Sequence, residues 1–176
     1  MKEAIATLKK YQTQSISHST RTLFDHPIGT GQILQEWDCD LNLCLAGYFH
    51  SFYGTEGTGK KRILDFSERE KIQQEIGREA EIIVYLYCVF RRKFYYRCNG
   101  DYIWDRLTNQ KRSVTKEIFR QLVILDIANL VEEFPRWKYL FGCGFLVARR
   151  RTICAMPYLP EVAHEKVKTL FKISHR

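Results

Sequence analysis

Apolar positions recur at intervals of three and four residues along most of this chain, the spacing that puts them on one face of an α-helix. On that basis Glu3 to Gln14 reads as a short helix and Thr20 to Trp37 as a second, with Leu23, Ile28, Ile33 and Leu34 around His26. Pro27 complicates the second, because proline removes a backbone donor and disfavours helical geometry just before it. Proline is best tolerated in a first turn, so the regular helix is expected to begin near Asp25 or His26, with Asp25 as its N-cap. Asp40 to Tyr53 carries a broad stripe of Leu41, Cys44, Leu45, Tyr48, Phe49 and Phe52, and its end delivers His50. Ser67 to Phe90 reads as one long helix, capped by Ser67 with Glu70 three residues on.

Further along, Phe94 to Asn109 is rich in aromatics and contains Asn99-Gly100, a strong tight-turn signal, so a small β-hairpin is expected there. Val114 to Phe134 repeats the helical pattern through Ile118, Leu122, Leu125, Ala128 and Leu130, with Asp126 embedded in it. Gly142 and Gly144 interrupt an apolar patch, and Glu161 to Ile173 reads as a final helix. The expected fold is all-α, a single helical domain over residues 1–176 with at most one small hairpin.

Composition adds limits. The 176 residues are 45% hydrophobic and 14% aromatic, enough for a sizeable core in one domain. The apolar stretches Ile82 to Phe90 and Tyr139 to Ala148 are shorter than the ~20 residues a membrane helix needs. Met1 to Gln12 alternates apolar residues with Lys and Glu and lacks the features of a secretory signal. A cytoplasmic protein with no membrane association is therefore expected. The six cysteines (Cys39, Cys44, Cys88, Cys98, Cys143, Cys154) form no CxxC pair and read as reduced thiols. A net charge of +8 and a pI near 9.2 fit a small anionic partner or a solvated basic surface. Nucleic acid is disfavoured, because no known recognition motif accompanies the aromatic and basic residues from Ile82 to Trp104.

The chemistry concentrates on histidine. His26 and His50 each sit at the core-facing end of an amphipathic run, and Asp126 lies in a third run. Two imidazoles and a carboxylate brought in by separate helices make a ligand set for a divalent ion such as Mn, Fe, Zn or Mg. Glu56, in a Gly-rich loop six residues past His50, is a candidate further ligand or general base, and equally an exposed loop residue. His18 is a candidate fourth ligand or supporting residue, Arg21 a weak candidate phosphate contact, and His164 and His175 read as surface. Gly54 to Lys61 nearly matches the phosphate-cradling GxxxxGK[ST] loop, but Lys61 takes the hydroxyl position and no parallel sheet is indicated.

His26-Pro27-Ile28-Gly29-Thr30-Gly31-Gln32-Ile33-Leu34 and Leu45-Ala46-Gly47-Tyr48-Phe49-His50-Ser51 resemble the HP..VA.IL and A.LLHD segments of HD-domain metal-dependent phosphohydrolases. Within these, the hydrolase domain of Rel/SpoT-type alarmone-degrading enzymes is the nearest likeness. Leu125-Asp126-Ile127-Ala128-Asn129 is similar to the late helix whose aspartate closes the metal site. The resemblance implies an HD-like helical domain with His26, His50 and Asp126 as metal ligands. The chain departs from it at Ser51, where those proteins have the aspartate that follows the second histidine, and at Gly54 and Thr55, where the alarmone hydrolases carry a catalytic Glu-Asp pair. The segment His50-Ser51-Phe52-Tyr53-Gly54-Thr55 also resembles short HD-like domains with no assigned activity.

Three functions follow as expectations. The first is metal-assisted hydrolysis of a small phosphorylated or nucleotide-like substrate. The second is a non-haem iron oxygenase, for which two histidines and a carboxylate with open positions are the minimal set. The third is a degenerate domain that binds a ligand or partner without catalysis, which the loss of acidic residues at positions 51, 54 and 55 favours.

Overall fold

In a computed structural model, the described residues are 2–11, 17–18, 21–22, 25–56, 62–92, 95, 99–137 and 143–173, with the backbone alone at 3, 9, 17–18, 21–22, 25, 136–137 and 143. The chain runs α1 (Lys2–Lys10), β1 (Ser17–His18), β2 (Arg21–Thr22), α2 (Asp25–Glu36), α3 (Leu41–Phe49), α4 (Arg69–Ile76), α5 (Arg78–Val89), β3 (Tyr102–Asp105), β4 (Gln110–Ser113), α6 (Lys116–Trp137), α7 (Cys143–Ala155) and α8 (Glu161–Phe171). The fold is mostly α, as the periodicity predicts. Its β content is two antiparallel pairs among the described residues, β1 with β2 and β3 with β4, one more than expected.

Helix α6 is the central post. Phe119, Leu122, Val123, Ile124, Leu125, Ile127 and Ala128 are all buried, and α2, α3, α5, α7 and α8 pack against it. Helices α2 and α3 meet each other closely through glycines: the Cα of Gly31 lies 3.1 Å from where a side chain on Gly47 would begin. A methyl on Gly31 would run into the Tyr48 ring. This close approach sets the histidine-bearing helices side by side against α6.

Several element boundaries follow the local chemistry. Helix α2 begins at Asp25, so Pro27 occupies its first turn, where no helical partner is needed for its missing N–H. Helix α3 is capped by Asp40, whose carboxylate accepts from the Leu43 N–H at 2.9 Å. Four expectations are corrected. The long Ser67 to Phe90 helix is two helices, because Gly77 adopts φ +85° and breaks the run. Its capping box belongs to Asp65 and Glu68, and the Ser67 hydroxyl bonds to Asp65 instead. The hairpin turn lies at 106–109, with Asp105 accepting from the N–H groups of Leu107 and Thr108 and Asn109 at φ +57°, rather than at Asn99-Gly100. Gly144 sits inside α7 instead of interrupting the chain there, while Gly142 lies outside the described residues.

Among the described residues no helix is long and apolar enough to cross a membrane. Cys39, Cys44, Cys88 and Cys154 are free thiols. Burial and the neighbouring Asp40 push the thiols of Cys39 and Cys44 up to about 12 and about 11, so both stay protonated and unreactive near neutrality.

Candidate functional site

The two histidines meet. His26 stands in the first turn of α2 and His50 just beyond the last turn of α3, both buried, with their Nε2 atoms 3.1 Å apart. Each ring is oriented from its other nitrogen. His50 Nδ1 lies 2.7 Å from the Gly47 carbonyl, which can only accept, so Nδ1 carries the proton and the Nε2 lone pair is free. Burial, reinforced by His26, pulls the His50 pKa down to about 3, so this ring is neutral at physiological pH. His26 Nδ1 lies 2.5 Å from Glu132 Oε2, an N–H donated to a buried carboxylate.

The inner ends of the rings gather a third and fourth group. Asn129 Oδ1 is 3.0 Å from His26 Nε2, and Glu133 Oε1 is 3.9 Å from it. Asp126, Asn129, Glu132 and Glu133 are spaced three and four residues apart on α6, so one face of that helix presents them all to the histidines and their surroundings. Two neutral imidazoles would place lone pairs against each other at 3.1 Å. A positive species among Nε2, Nε2 and Oδ1 removes that repulsion, either a proton on His26 or a cation.

Asp126 is committed elsewhere. Its fully buried carboxylate accepts from Arg151 Nη2, at 2.5 Å to Oδ1 and closer still to Oδ2, and from Arg92 Nη1 at 3.3 Å. Among the described residues no three His, Cys, Asp or Glu side chains converge as a metal-ligand group, so the expected His26, His50 and Asp126 set is not assembled as such. Asp126 nevertheless belongs to the same cluster. Arg92 lies over the Tyr87 ring at 4.6 Å and bonds its hydroxyl, and that ring packs edge-on to His50 at 5.6 Å. Tyr95 donates to the Arg151 carbonyl beside it. Glu56 is half-buried and lies within electrostatic range of Arg92.

Of the remaining expected site residues, His18 and Arg21 fall on the β1–β2 pair, where only the backbone is described. His164 is half-buried on α8 with Nε2 shut from solvent and, among the described residues, without a hydrogen-bond partner, rather than lying on the surface as expected, because α8 packs onto α6 and α7. His175 and the basic end of the Gly54 to Lys61 loop lie outside the described residues. Arg92, Asn129, Glu132, Glu133 and Arg151 were not singled out by sequence. The polar residues at helical spacing after Asp126 were the available signal for the three on α6.

Residues 7–92 match the model of a family described as a domain of unknown function (DUF6817). The match covers just under half of the chain and includes His26, His50, Glu56 and Arg92, while the α6 and α7 partners lie beyond it. No curated protein and no solved structure matches the chain.

Proposed function

We propose that this chain is an HD-like metalloprotein that hydrolyses a small phosphorylated substrate at the meeting point of α2, α3 and α6. The observation that carries the reading is the pair of Nε2 atoms 3.1 Å apart, each ring fixed by an acceptor at Nδ1. Two nitrogens sharing an ion through bonds of about 2.0–2.1 Å stand roughly 2.9–3.4 Å apart, the spacing seen here. The carboxylate behind His26 is the usual support for a ligating imidazole, fixing its tautomer and raising its basicity. The donor set is suitable for such an ion: His26 Nε2, His50 Nε2 and Asn129 Oδ1 face one another, with Glu133 next to them. Charge agrees, because Glu56, Asp126, Glu132 and Glu133 outnumber Arg92 and Arg151 in and around the cluster.

A divalent ion held there would supply Lewis acidity and a water acidic enough to attack phosphorus near neutral pH. The chain's own groups do the rest. Glu132 and the Gly47 carbonyl keep both imidazoles aimed inward. Glu56 is the carboxylate available to take a proton from an attacking water. Tyr87 and the surrounding aliphatic core shield the centre, which strengthens each charge contact inside it.

Metal analysis of the purified chain and of His50→Ala is the test, with release of phosphate from p-nitrophenyl phosphate as the activity readout. The expected result is one manganese, zinc or magnesium ion per wild-type chain, none per variant, unchanged helical circular dichroism, and metal-dependent release. Iron with oxygen consumption would replace this reading with the oxygenase. Absence of any tight metal would replace it with a non-catalytic domain whose His26 carries the bridging proton.

A further inference from the structure

Arg92 and Arg151 carry more donors than Asp126 uses. Both guanidiniums are largely buried, with side chains 9% and 16% exposed, and among the described residues both present a buried Nε with no partner. A guanidinium has five N–H groups. Arg92 directs Nη1 to Tyr87 and Asp126, and Arg151 directs Nη2 to Asp126 and also bonds Tyr95. A buried donor left unmade costs on the order of 1–3 kcal/mol, so two idle Nε groups in one cluster need a reason. Each guanidinium remains charged, since partly or wholly buried arginine does not lose its proton.

We infer that Arg92 and Arg151 form an oxyanion-binding subsite for a phosphate of the substrate other than the one attacked, with Asp126 holding the two guanidiniums apart until it arrives. The inference rests on the reading of the histidine pair as the reacting centre, since it names what binds beside it. Arg92 stacks on the Tyr87 ring and that ring on His50, so an oxyanion seated on the arginines lies one aromatic ring from His50, the place of a non-reacting phosphate of the substrate. Two planar forks match the tetrahedral oxygens of a phosphomonoester, whereas one carboxylate leaves half of each fork unused. Asp126 offsets one of the two arginine charges, and Glu56 and Glu133 also act on Arg92, so the anion's gain comes from the unmet donors rather than from net charge.

Calorimetric titration with inorganic phosphate tests this on the full chain, with metal content measured on the same samples. Wild type is expected to bind one phosphate. Arg151→Lys keeps the charge but loses the fork and should bind roughly tenfold more weakly, the loss of one charge-assisted hydrogen bond. The paired variant Asp126→Asn with Arg151→Gln removes one charge of each sign, which protects folding, and should bind none while keeping the metal. Equal phosphate binding by all three proteins, or none by wild type, with metal retained would overturn the subsite and leave the metal reading standing. Arginine-dependent phosphate binding by a chain that takes up no metal would uphold the subsite and remove the metal reading.

Discussion

Two buried carboxylates in this molecule keep opposite company. Glu81 on α5 accepts four hydrogen bonds: Tyr53 at 3.0 Å and Arg69 Nε at 2.6 Å on one oxygen, Arg69 Nη2 at 2.7 Å and Gln73 at 3.0 Å on the other. Every lone pair is used, one cation faces one anion, and Arg69 stacks on Tyr85 at 3.9 Å. Asp126 on α6 faces two cations, both with idle donors, beside two imidazoles whose inner nitrogens confront each other. Both carboxylates are fully buried, so burial does not separate them. Completeness does: the Glu81 cluster is closed, whereas among the described residues the Asp126 cluster leaves an Nε on each arginine without a partner, which is what the proposed site would use.

Breaking the closed cluster should have the largest effect on folding. Glu81→Ala strands Arg69 and Tyr53 and is expected to cost about 3 kcal/mol, the lower end for removing one partner of a buried pair, since Arg69 is partly exposed. Urea denaturation measures it, and metal content per folded chain should be unchanged. A cost below about 1 kcal/mol would mean that Glu81 is not the anchor described, because surface pairs are worth that little.

The open cluster should instead answer to the ion proposed for it. At manganese a hundredfold above its dissociation constant, wild type is expected to gain about 2.7 kcal/mol against urea, and Glu81→Ala should gain the same increment from a lower baseline. His50→Ala should gain nothing. Equal gains in wild type and His50→Ala would place the ion away from the histidines.

A third carboxylate, Asp105, extends the comparison to pH. Burial pushes its pKa up, but Arg112, which bonds Oδ2 at 3.0 and 2.7 Å, and the N–H groups of Leu107 and Thr108 outweigh burial and hold it below the usual carboxylate range. A depressed folded pKa stabilises the fold above the unfolded value of about 3.9, and this contribution is lost as pH falls through the folded value. Urea midpoints should therefore drop below about pH 4 in wild type and drop less steeply in Asp105→Asn. Parallel pH profiles would show that the hairpin pair contributes nothing.

What sequence made legible follows the same division. Pro27 marked the start of α2, and the stripe from Leu41 to Phe52 carried His50 to the end of α3, because proline geometry and helical periodicity are local rules. The break at Gly77 was hidden, since apolar periodicity continues on both sides of it and only a positive φ reveals the stop. Asn99-Gly100 drew the hairpin away from its true turn, where Asp105 organises the backbone from the strand side. Arg92 and Arg151 were invisible for a different reason. Each belongs to a basic triplet, and a run of like charges does not disclose which member turns inward. Their contacts identify them: Tyr87, five residues before Arg92, and for Arg151 the distant Tyr95 and Asp126.

The smallest expected effect bears on how the open cluster is held open. A methyl on Gly29 would lie 2.7 Å from Glu132 Cγ and 3.1 Å from its Oε1, too close to keep that side chain where it is. Glu132 is the acceptor that orients His26, so Gly29→Ala acts on the proposed ligand through its support rather than directly. Loss of such a support lowers metal affinity by about tenfold at its mild end, while the added methyl costs about 1 kcal/mol in packing. Isothermal titration with manganese separates the two. Weakened binding with near-normal stability supports the role of Glu132, whereas unchanged affinity would show that His26 needs no carboxylate behind it. Gly31→Ala is the control at the same helix interface: its methyl meets the Tyr48 ring, not Glu132, so it should lower stability with a smaller change in metal affinity.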